Sequence, residues 1–228
     1  MTERANGTDG SASEGFSARL REASATDWQA VVGHRFVDEL LAGAVPDSVL
    51  THYLVQDYQF CDAFTALLGQ ACASAPALAS RLPYARQLGM FAADENTYFV
   101  DSFDALGVSP QDRVSPRLTA ATRAFDDLMR EALGSRSYAR VLAVLVVAEW
   151  IYLDWATRPE AADCSTRPEH LGWVDLHRGE AFTTWVGFLR DELDAHEPSE
   201  GAEREAVADL FARAVACERA FFEAAYEG

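Results

Sequence analysis

The helical spacing of apolar residues, sustained along nearly the whole 228-residue chain, constrains the fold most strongly. No run alternates between polar and apolar residues in the way that predicts a strand, and no repeat period is visible. Glycine and proline divide the pattern into about seven helical segments. These span roughly residues 17–41, 46–73, 76–106, 116–134, 138–157, 170–196 and 200–226, with Gly179 as a candidate break in the sixth. The sequence therefore predicts a single all-α domain.

Length and composition set the limits of this domain. A hydrophobic fraction of 49% suits one compact core, while the apolar stretches are interrupted too often to span a membrane. The chain begins MTERANGTDGSAS, which is polar, rich in glycine and serine, and without the apolar region of a secretory signal. We therefore expect a disordered tail at residues 1–15, a helical domain at residues 16–228, and a cytoplasmic protein.

The formal net charge of −17 bears on the partners of this chain. Nucleic acids and anionic membranes are themselves negatively charged, so this charge argues against both. The four cysteines show neither CxxC nor other zinc-type spacing, and we expect no disulfide framework. The sequence thus predicts neither a nucleic acid nor a membrane as a partner.

Glu149 lies inside one of the most apolar runs of the chain, VLAVLVVAEWIYLDW at residues 141–155. On a helix, its neighbours on the same face are nearly all apolar. These neighbours are Leu142, Leu145, Val146, Tyr152 and Leu153. A carboxylate in such surroundings must find a partner, stay protonated, or be placed there for chemistry.

Asp57, Glu95, Glu218 and His177 also have apolar neighbours at helical spacing. Each of them alone is most simply a core polar group with a satisfied hydrogen bond. If the carboxylates converge, however, they repel one another and lose hydration, which raises at least one pKa. Such a pocket suits acid–base chemistry on a small, nitrogen-rich substrate. It could also hold two metal ions, although the Glu-x-x-His pairing of di-iron sites is absent.

Several segments resemble the TenA family, the thiaminase II group. The N-terminal segment is HRFVDELLAGAVPDSVLTHYLVQDYQF, and the later ones are FAADENTYFVDSFDALGVSP, AEWIYLDWA, GWVDLHRGEAF and ACERAFF. This resemblance covers the chain from about residue 16 onward. It implies a heme-oxygenase-like helical bundle, usually a homotetramer, with a pocket inside each subunit. Family members hydrolyse a C–N bond in thiamin or in its degradation products, which include aminopyrimidine and its formylated form.

The resemblance assigns roles to particular residues. Asp57 matches the aspartate that bonds the aminopyrimidine ring, Glu218 the late glutamate that handles the proton, and Tyr152 a pocket tyrosine. The nucleophilic cysteine of the family falls on Ala148, which excludes catalysis by cysteine. The chain therefore resembles the E-type branch, in which a nearby glutamate takes over, and Glu149 is the candidate.

Other pocket positions differ from the cysteine-type members. Phe60 and His177 stand where those members carry pocket tyrosines, and Ala121 or Thr122 replaces a third. We expect Phe60 to form an aromatic wall together with Trp150 or Trp173. The full set of predicted substrate-binding residues is Asp57, Tyr152, Phe60, His177, Trp150 and Glu95.

The expected activity is hydrolysis of an aminopyrimidine or formylaminopyrimidine, with Glu149 and Glu218 as the catalytic residues and without a metal or other cofactor. Asp57 would orient the substrate, Glu149 would act as base or nucleophile, and Glu218 would protonate the leaving nitrogen. Two alternatives stay open: a non-catalytic protein that binds a pyrimidine or small amine, and a di-metal oxidase on the same bundle. The expected assembly is a homotetramer or dimer.

Overall fold

The computed structural model describes residues 15–164 and 167–228. These residues form thirteen α-helices and no β-strand, which confirms the all-α prediction. The helices are α1 Phe16–Ala23, α2 Ala25–Val32, α3 Arg35–Ala42, α4 Asp47–Asp57, α5 Cys61–Ser74, α6 Leu78–Met90, α7 Asn96–Ala105, α8 Pro110–Val114, α9 Ala120–Ser135, α10 Tyr138–Ala156, α11 Pro168–Leu176, α12 Gly179–Ala195 and α13 Ala202–Ala224. The predicted tail at residues 1–15 lies outside the described residues except for Gly15.

The predicted count of about seven helices is too low, because several predicted helices are interrupted. Residues 17–41 form three helices, and the imidazole Nδ1 of His34 caps the third by accepting the Phe36 N–H at 3.1 Å. A 3-10 turn at Tyr58–Phe60 separates α4 from α5, and a π-helical turn at Phe91–Glu95 separates α6 from α7. The candidate break at Gly179 is confirmed, since its φ of +87° lies in the left-handed region.

Helix α10 runs through the centre of the fold. It packs against α2, α5, α9, α12 and α13, and most of its residues are buried. Among the side chains that α10 buries, Glu149 is the charged one. A helix that is apolar nearly all round is stable only when other helices cover every side of it. The surrounding helices therefore fix where Glu149 can point.

Two carboxylates attach the N-terminal helices to the rest of the bundle. Asp194 of α12 accepts the Ser17 N–H at 2.6 Å and so caps the start of α1. Asp154 of α10 accepts the indole N–H of Trp28 at 2.9 Å and forms an ion pair with Arg21. These contacts link α1 to α12 and both α1 and α2 to the end of α10.

In the part of the chain that the structure describes, no helix is long and apolar enough to cross a bilayer.

We predict that Leu145→Ala lowers the free energy of unfolding by about 2–5 kcal/mol, because the truncation leaves a cavity in the tightly packed surroundings of α10. Leu145 is fully buried, whereas Leu82 on α6 is 55% exposed. Leu82→Ala is the matched control and should change stability by less than about 0.5 kcal/mol. Urea unfolding of both variants measures the difference. Equal effects of the two changes would contradict the central position of α10.

Candidate active site

Between the helices that carry the predicted acids lies a cavity with about 560 Å³ of empty space, which includes its opening to solvent. Its wall is largely aromatic and comes from Phe60, Phe64, Phe91, Phe99, Phe125 and Trp173. Four carboxylates also line it: Asp57, Glu95, Glu149 and Glu218. No lysine or arginine is among the lining residues that the structure describes. The cavity is therefore apolar around its walls and carries acidic groups without a cation to pair with them.

Each carboxylate comes from a different stretch of the chain, and local structure aims each one inward. Asp57 is the last residue of α4, immediately before the 3-10 turn. Glu95 ends the π-helical turn, a local irregularity that frequently occurs at functional sites. Glu149 and Glu218 project from α10 and α13, which pack directly against each other. The fold thus brings together acids that are up to 161 positions apart in the sequence (57 and 218).

Burial raises the pKa of all four carboxyl groups. It raises the pKa of Asp57 to about 8 and that of Glu149 to about 7. The pKa values of Glu95 and Glu218 are raised well above the usual range, mainly by burial and further by the nearby charges of Asp57 and Glu149. The cavity therefore holds protonated carboxyl groups beside groups that titrate near neutral pH.

Two of these carboxyl groups have unused hydrogen-bonding capacity. The Oε1 atom of Glu149 and the Oε2 atom of Glu218 are buried and have no hydrogen-bond partner among the described residues. A buried polar atom without a partner is costly, typically by about 1–3 kcal/mol. Both groups line the cavity, so a bound molecule or a water molecule there can supply the missing hydrogen bonds.

A tyrosine pair and a histidine supply the neutral polar groups. The Tyr152 hydroxyl is 2.8 Å from the hydroxyl of Tyr53, which lies behind it in the core. The His177 Nδ1 is 2.8 Å from the Trp173 carbonyl oxygen, which can only accept, so this nitrogen carries the hydrogen. Burial lowers the pKa of His177 to about 4. The imidazole is therefore neutral near pH 7, and its Nε2 atom is a hydrogen-bond acceptor.

The structure corrects the position predicted for Trp150. Its ring does not line the cavity but packs edge-on against Trp28 at 5.2 Å and under the Arg190 guanidinium at 3.8 Å. One helical step of about 100° separates Trp150 from Glu149, which turns the indole toward α2 and α12. Trp173, the other indole considered for the aromatic wall, does line the cavity.

The other predicted site residues are found as follows. Asp57, Glu95, Glu149, Glu218, Tyr152, Phe60 and His177 line the cavity, as does Ala148. Neither Ala121 nor Thr122 lines it, and the Thr122 hydroxyl donates to the Gln56 side chain at 2.6 Å. Phe125 contributes to the wall from the same helix.

Sequence reasoning missed part of the lining, although a signal was present. The predicted substrate-binding residues did not include Cys61, Phe64, Phe91, Phe99, Phe125 and Met129. Cys61 stands four positions from Asp57, and Phe91 and Phe99 each stand four positions from Glu95. This helical spacing from an acid is the signal that points to these three residues.

The di-metal alternative gains no support from the geometry. Among residues 15–164 and 167–228, no group of three or more His, Cys, Asp or Glu side chains is arranged to hold a metal ion.

Residues 21–228 match the model of the TENA/THI-4/PQQC family. One similar curated protein is an aminopyrimidine aminohydrolase of Halalkalibacterium halodurans, 21% identical over 92% of this chain and 95% of its own length. A second protein of the same name, from Bacillus subtilis, is 23% identical over 75% of this chain and 72% of its own length.

Solved structures place the fold in a known class. A TenA homologue from P. horikoshii OT3 superposes with a TM-score of 0.82 at 20% identity, over 94% of this chain and 99% of that one. A domain from Shewanella denitrificans OS217, described as having a heme oxygenase-like fold, gives a TM-score of 0.67 at 14% identity over 92% and 91%. The predicted heme-oxygenase-like bundle is thereby confirmed.

We predict that the free energy of unfolding falls as the pH rises from 6.5 to 8. The folded protein keeps protons on Asp57 and Glu149 that the unfolded chain has already released, because the pKa values in the folded state are about 8 and 7. Each retained proton contributes a slope of up to about 1.4 kcal/mol per pH unit. His177 acts in the opposite direction only below about pH 6.5, where the unfolded imidazole becomes charged.

Urea unfolding at several pH values measures this slope in three variants. Asp57→Asn and Glu149→Gln should each make it shallower. Asp94→Asn is the control, since Asp94 lies on the same π-helical turn as Glu95 but is exposed to solvent. A slope that stays unchanged in both cavity variants would contradict the raised pKa values.

Proposed function

We propose that this chain, which belongs to the TENA/THI-4/PQQC family, is a hydrolase of thiamin salvage that cleaves a C–N bond of an aminopyrimidine or formylaminopyrimidine. The observation that carries the proposal is the meeting of Asp57, Glu149 and Glu218, from three separate helices, in one largely aromatic cavity. The names of the two aminopyrimidine aminohydrolases support the same substrate class.

Asp57 is suited to bind the aminopyrimidine ring. With a pKa near 8 its carboxyl group is mostly protonated at neutral pH, and it then offers one donor and one acceptor side by side. In an aminopyrimidine, the exocyclic amino group donates a hydrogen bond and the adjacent ring nitrogen accepts one, which complements the carboxyl group. This pairing would fix the plane and the direction of the ring in the cavity.

Glu149 and Glu218 would divide the proton transfers between them. Glu149, with a pKa near 7, can remove a proton from water as that water attacks the carbon next to the leaving nitrogen. Glu218 stays protonated because its pKa is raised further, and it can donate that proton to the nitrogen. A C–O bond forms and the C–N bond breaks, so aminopyrimidine would give hydroxymethylpyrimidine and ammonia.

The remaining cavity residues would hold the ring and steady the proton transfer. Phe60 contacts Phe221 at 4.9 Å and Phe125 at 5.2 Å between ring centres, which makes it part of a rigid wall. Tyr152 lies 4.7 Å from the His177 ring. Its hydroxyl and the Nε2 atom of His177 would bond the substrate or the attacking water.

The residues at the vacant nucleophile position support a carboxylate mechanism. Ala148 and Glu149 both line the cavity, so a carboxyl group stands next to the place where cysteine-type members carry their nucleophile. Cys61 is also at the wall, but burial and the nearby acids Asp57 and Glu95 raise the pKa of its thiol. A neutral thiol is a poor nucleophile.

The resemblance to the family also predicts a homotetramer or dimer. Light scattering of the purified protein would determine the oligomeric state. As the resemblance implies, we propose that each subunit carries a pocket of its own.

We predict that Glu149→Gln lowers kcat by about 10²–10⁴-fold, the usual contribution of a positioned general base. A chromatographic assay with aminopyrimidine, formylaminopyrimidine and thiamin measures it. Glu192→Gln is the control: Glu192 is a mostly buried carboxylate that bonds Ser80 and Tyr138 away from the cavity. Full turnover by Glu149→Gln would exclude the role of this residue as the base. Tight binding of the pyrimidines by the wild-type protein without turnover would favour the ligand-binding alternative.

We predict that Cys61→Ser keeps most of the wild-type turnover, because the serine hydroxyl preserves the size of the side chain while removing the thiol. The same assay measures this variant beside Glu149→Gln. Loss of activity in Cys61→Ser together with full activity in Glu149→Gln would reverse the assignment and make the reaction thiol-dependent.

A further inference from the structure

We propose that Tyr53, a residue outside the cavity wall, is a positioning residue that fixes the direction of the Tyr152 hydroxyl inside the cavity. Its effect on turnover rests on the proposed function, whereas its effect on Tyr152 does not. The two hydroxyl oxygens are 2.8 Å apart and form a buried hydrogen bond. Tyr152 lines the cavity, and Tyr53 is only 1% exposed.

The ring of Tyr53 is held in place by its neighbours. It stacks on Phe36 with ring centres 4.3 Å apart and meets Phe221 at 5.1 Å and Trp173 at 6.1 Å. A ring packed on several sides by other aromatic rings has little freedom to move. The Tyr53 hydroxyl is therefore a fixed point from which Tyr152 can be oriented.

Counting the hydroxyl hydrogens gives the direction of the bond. Burial is the main cause that raises the pKa of both tyrosines, so both keep their hydrogens near neutral pH. One hydrogen is used in the bond between the two oxygens. If Tyr152 donated it, the Tyr53 hydrogen would have no acceptor, because Tyr152 is the one acceptor that the described residues offer this hydroxyl. Tyr53 therefore donates, and the Tyr152 hydrogen is free to point toward the cavity.

The same chain contains a second tyrosine pair with this arrangement. The hydroxyl oxygens of Tyr84 and Tyr138 are also 2.8 Å apart, and Tyr84 is fully buried. Tyr138 donates its hydrogen to a carboxylate, the Oε2 atom of Glu192 at 2.6 Å. A buried tyrosine thus donates to a second tyrosine, which donates to an acid. In the cavity, the acids near Tyr152 are Asp57 and Glu218.

Without the Tyr53 hydroxyl, the Tyr152 hydroxyl could rotate about its C–O bond and donate in other directions. Substrate would still bind, because Asp57 and the aromatic wall are unchanged. The proton transfers at Glu218 would lose a fixed hydrogen-bond donor. The loss should therefore appear in kcat rather than in KM.

The kinetic experiment compares Tyr53→Phe, Tyr152→Phe and the double variant with wild type. We expect Tyr53→Phe to lower kcat about tenfold with KM nearly unchanged, since a displaced catalytic group typically costs one or two orders of magnitude. Because Tyr53 acts through Tyr152, the double variant should be no slower than Tyr152→Phe alone. An additional loss in the double variant, or an unchanged kcat in Tyr53→Phe, would overturn the proposal.

Tyr84→Phe is the matched control for the removal of a buried tyrosine hydroxyl. It breaks a hydrogen bond of the same length, and neither Tyr84 nor Tyr138 lines the cavity. Urea unfolding should show similar losses of stability in Tyr84→Phe and Tyr53→Phe. We expect Tyr84→Phe to keep the wild-type kcat and Tyr53→Phe to lose part of it. A parallel fall of kcat in both variants would mean that the effect is structural, and this too would overturn the proposal.

A spectroscopic readout separates this inference from the proposed function. In protein labelled with ¹³C at the ζ carbon of tyrosine, the resonance lost in Tyr152→Phe identifies Tyr152. Tyr53→Phe should shift that resonance, and Tyr84→Phe should leave it in place. If the wild-type protein turns over none of the pyrimidines, the proposed function fails, but a shifted Tyr152 resonance still supports the positioning role of Tyr53. A Tyr152 resonance that does not move in Tyr53→Phe would overturn that positioning role.

Discussion

The cavity depends on one constraint: carboxyl groups are held inside an apolar core without cations beside them. Glu149 illustrates it, since it projects from the most buried helix and its Oε1 atom has no hydrogen-bond partner in the described structure. Protonation reduces the cost of such burial, because a neutral carboxyl group loses less hydration than a carboxylate. The packing of α10 against five other helices supplies the stability that offsets the rest.

The acids of the cavity differ in how far their pKa values are raised, and a hydrolase that uses one base and one acid needs such a difference. Glu149, which titrates near neutral pH, can act as a base, while Glu218, whose pKa is raised further, can keep a proton for the leaving group. Burial is the largest cause of the raised pKa at both residues. At Glu218 the nearby charges of Asp57 and Glu149 raise the pKa further.

Much of this arrangement could be predicted from the sequence, and the exceptions have physical causes. Helical spacing and the resemblance together predicted the all-α bundle and pointed to the acids, because an acid among apolar neighbours is visible in a single helix. Trp150 was placed wrongly because one residue step turns a side chain by about 100°, which periodicity cannot resolve at a helix that is apolar nearly all round. The π-helical turn before Asn96 and the helix breaks near His34 were missed because the helical spacing of apolar residues continues across them.

Phe60 and Ala148 line the cavity with side chains that carry no hydrogen-bond donor. A tyrosine hydroxyl or a thiol in the cavity could donate a hydrogen bond to a carboxylate, and such a bond favours the charged form. Phe60 and Ala148 cannot donate, and His177 presents its acceptor nitrogen because its Nδ1 hydrogen is used by the Trp173 carbonyl oxygen. Fewer donors leave the carboxyl groups more protonated. The cavity is therefore one in which carboxyl groups hold protons that they can transfer near neutral pH.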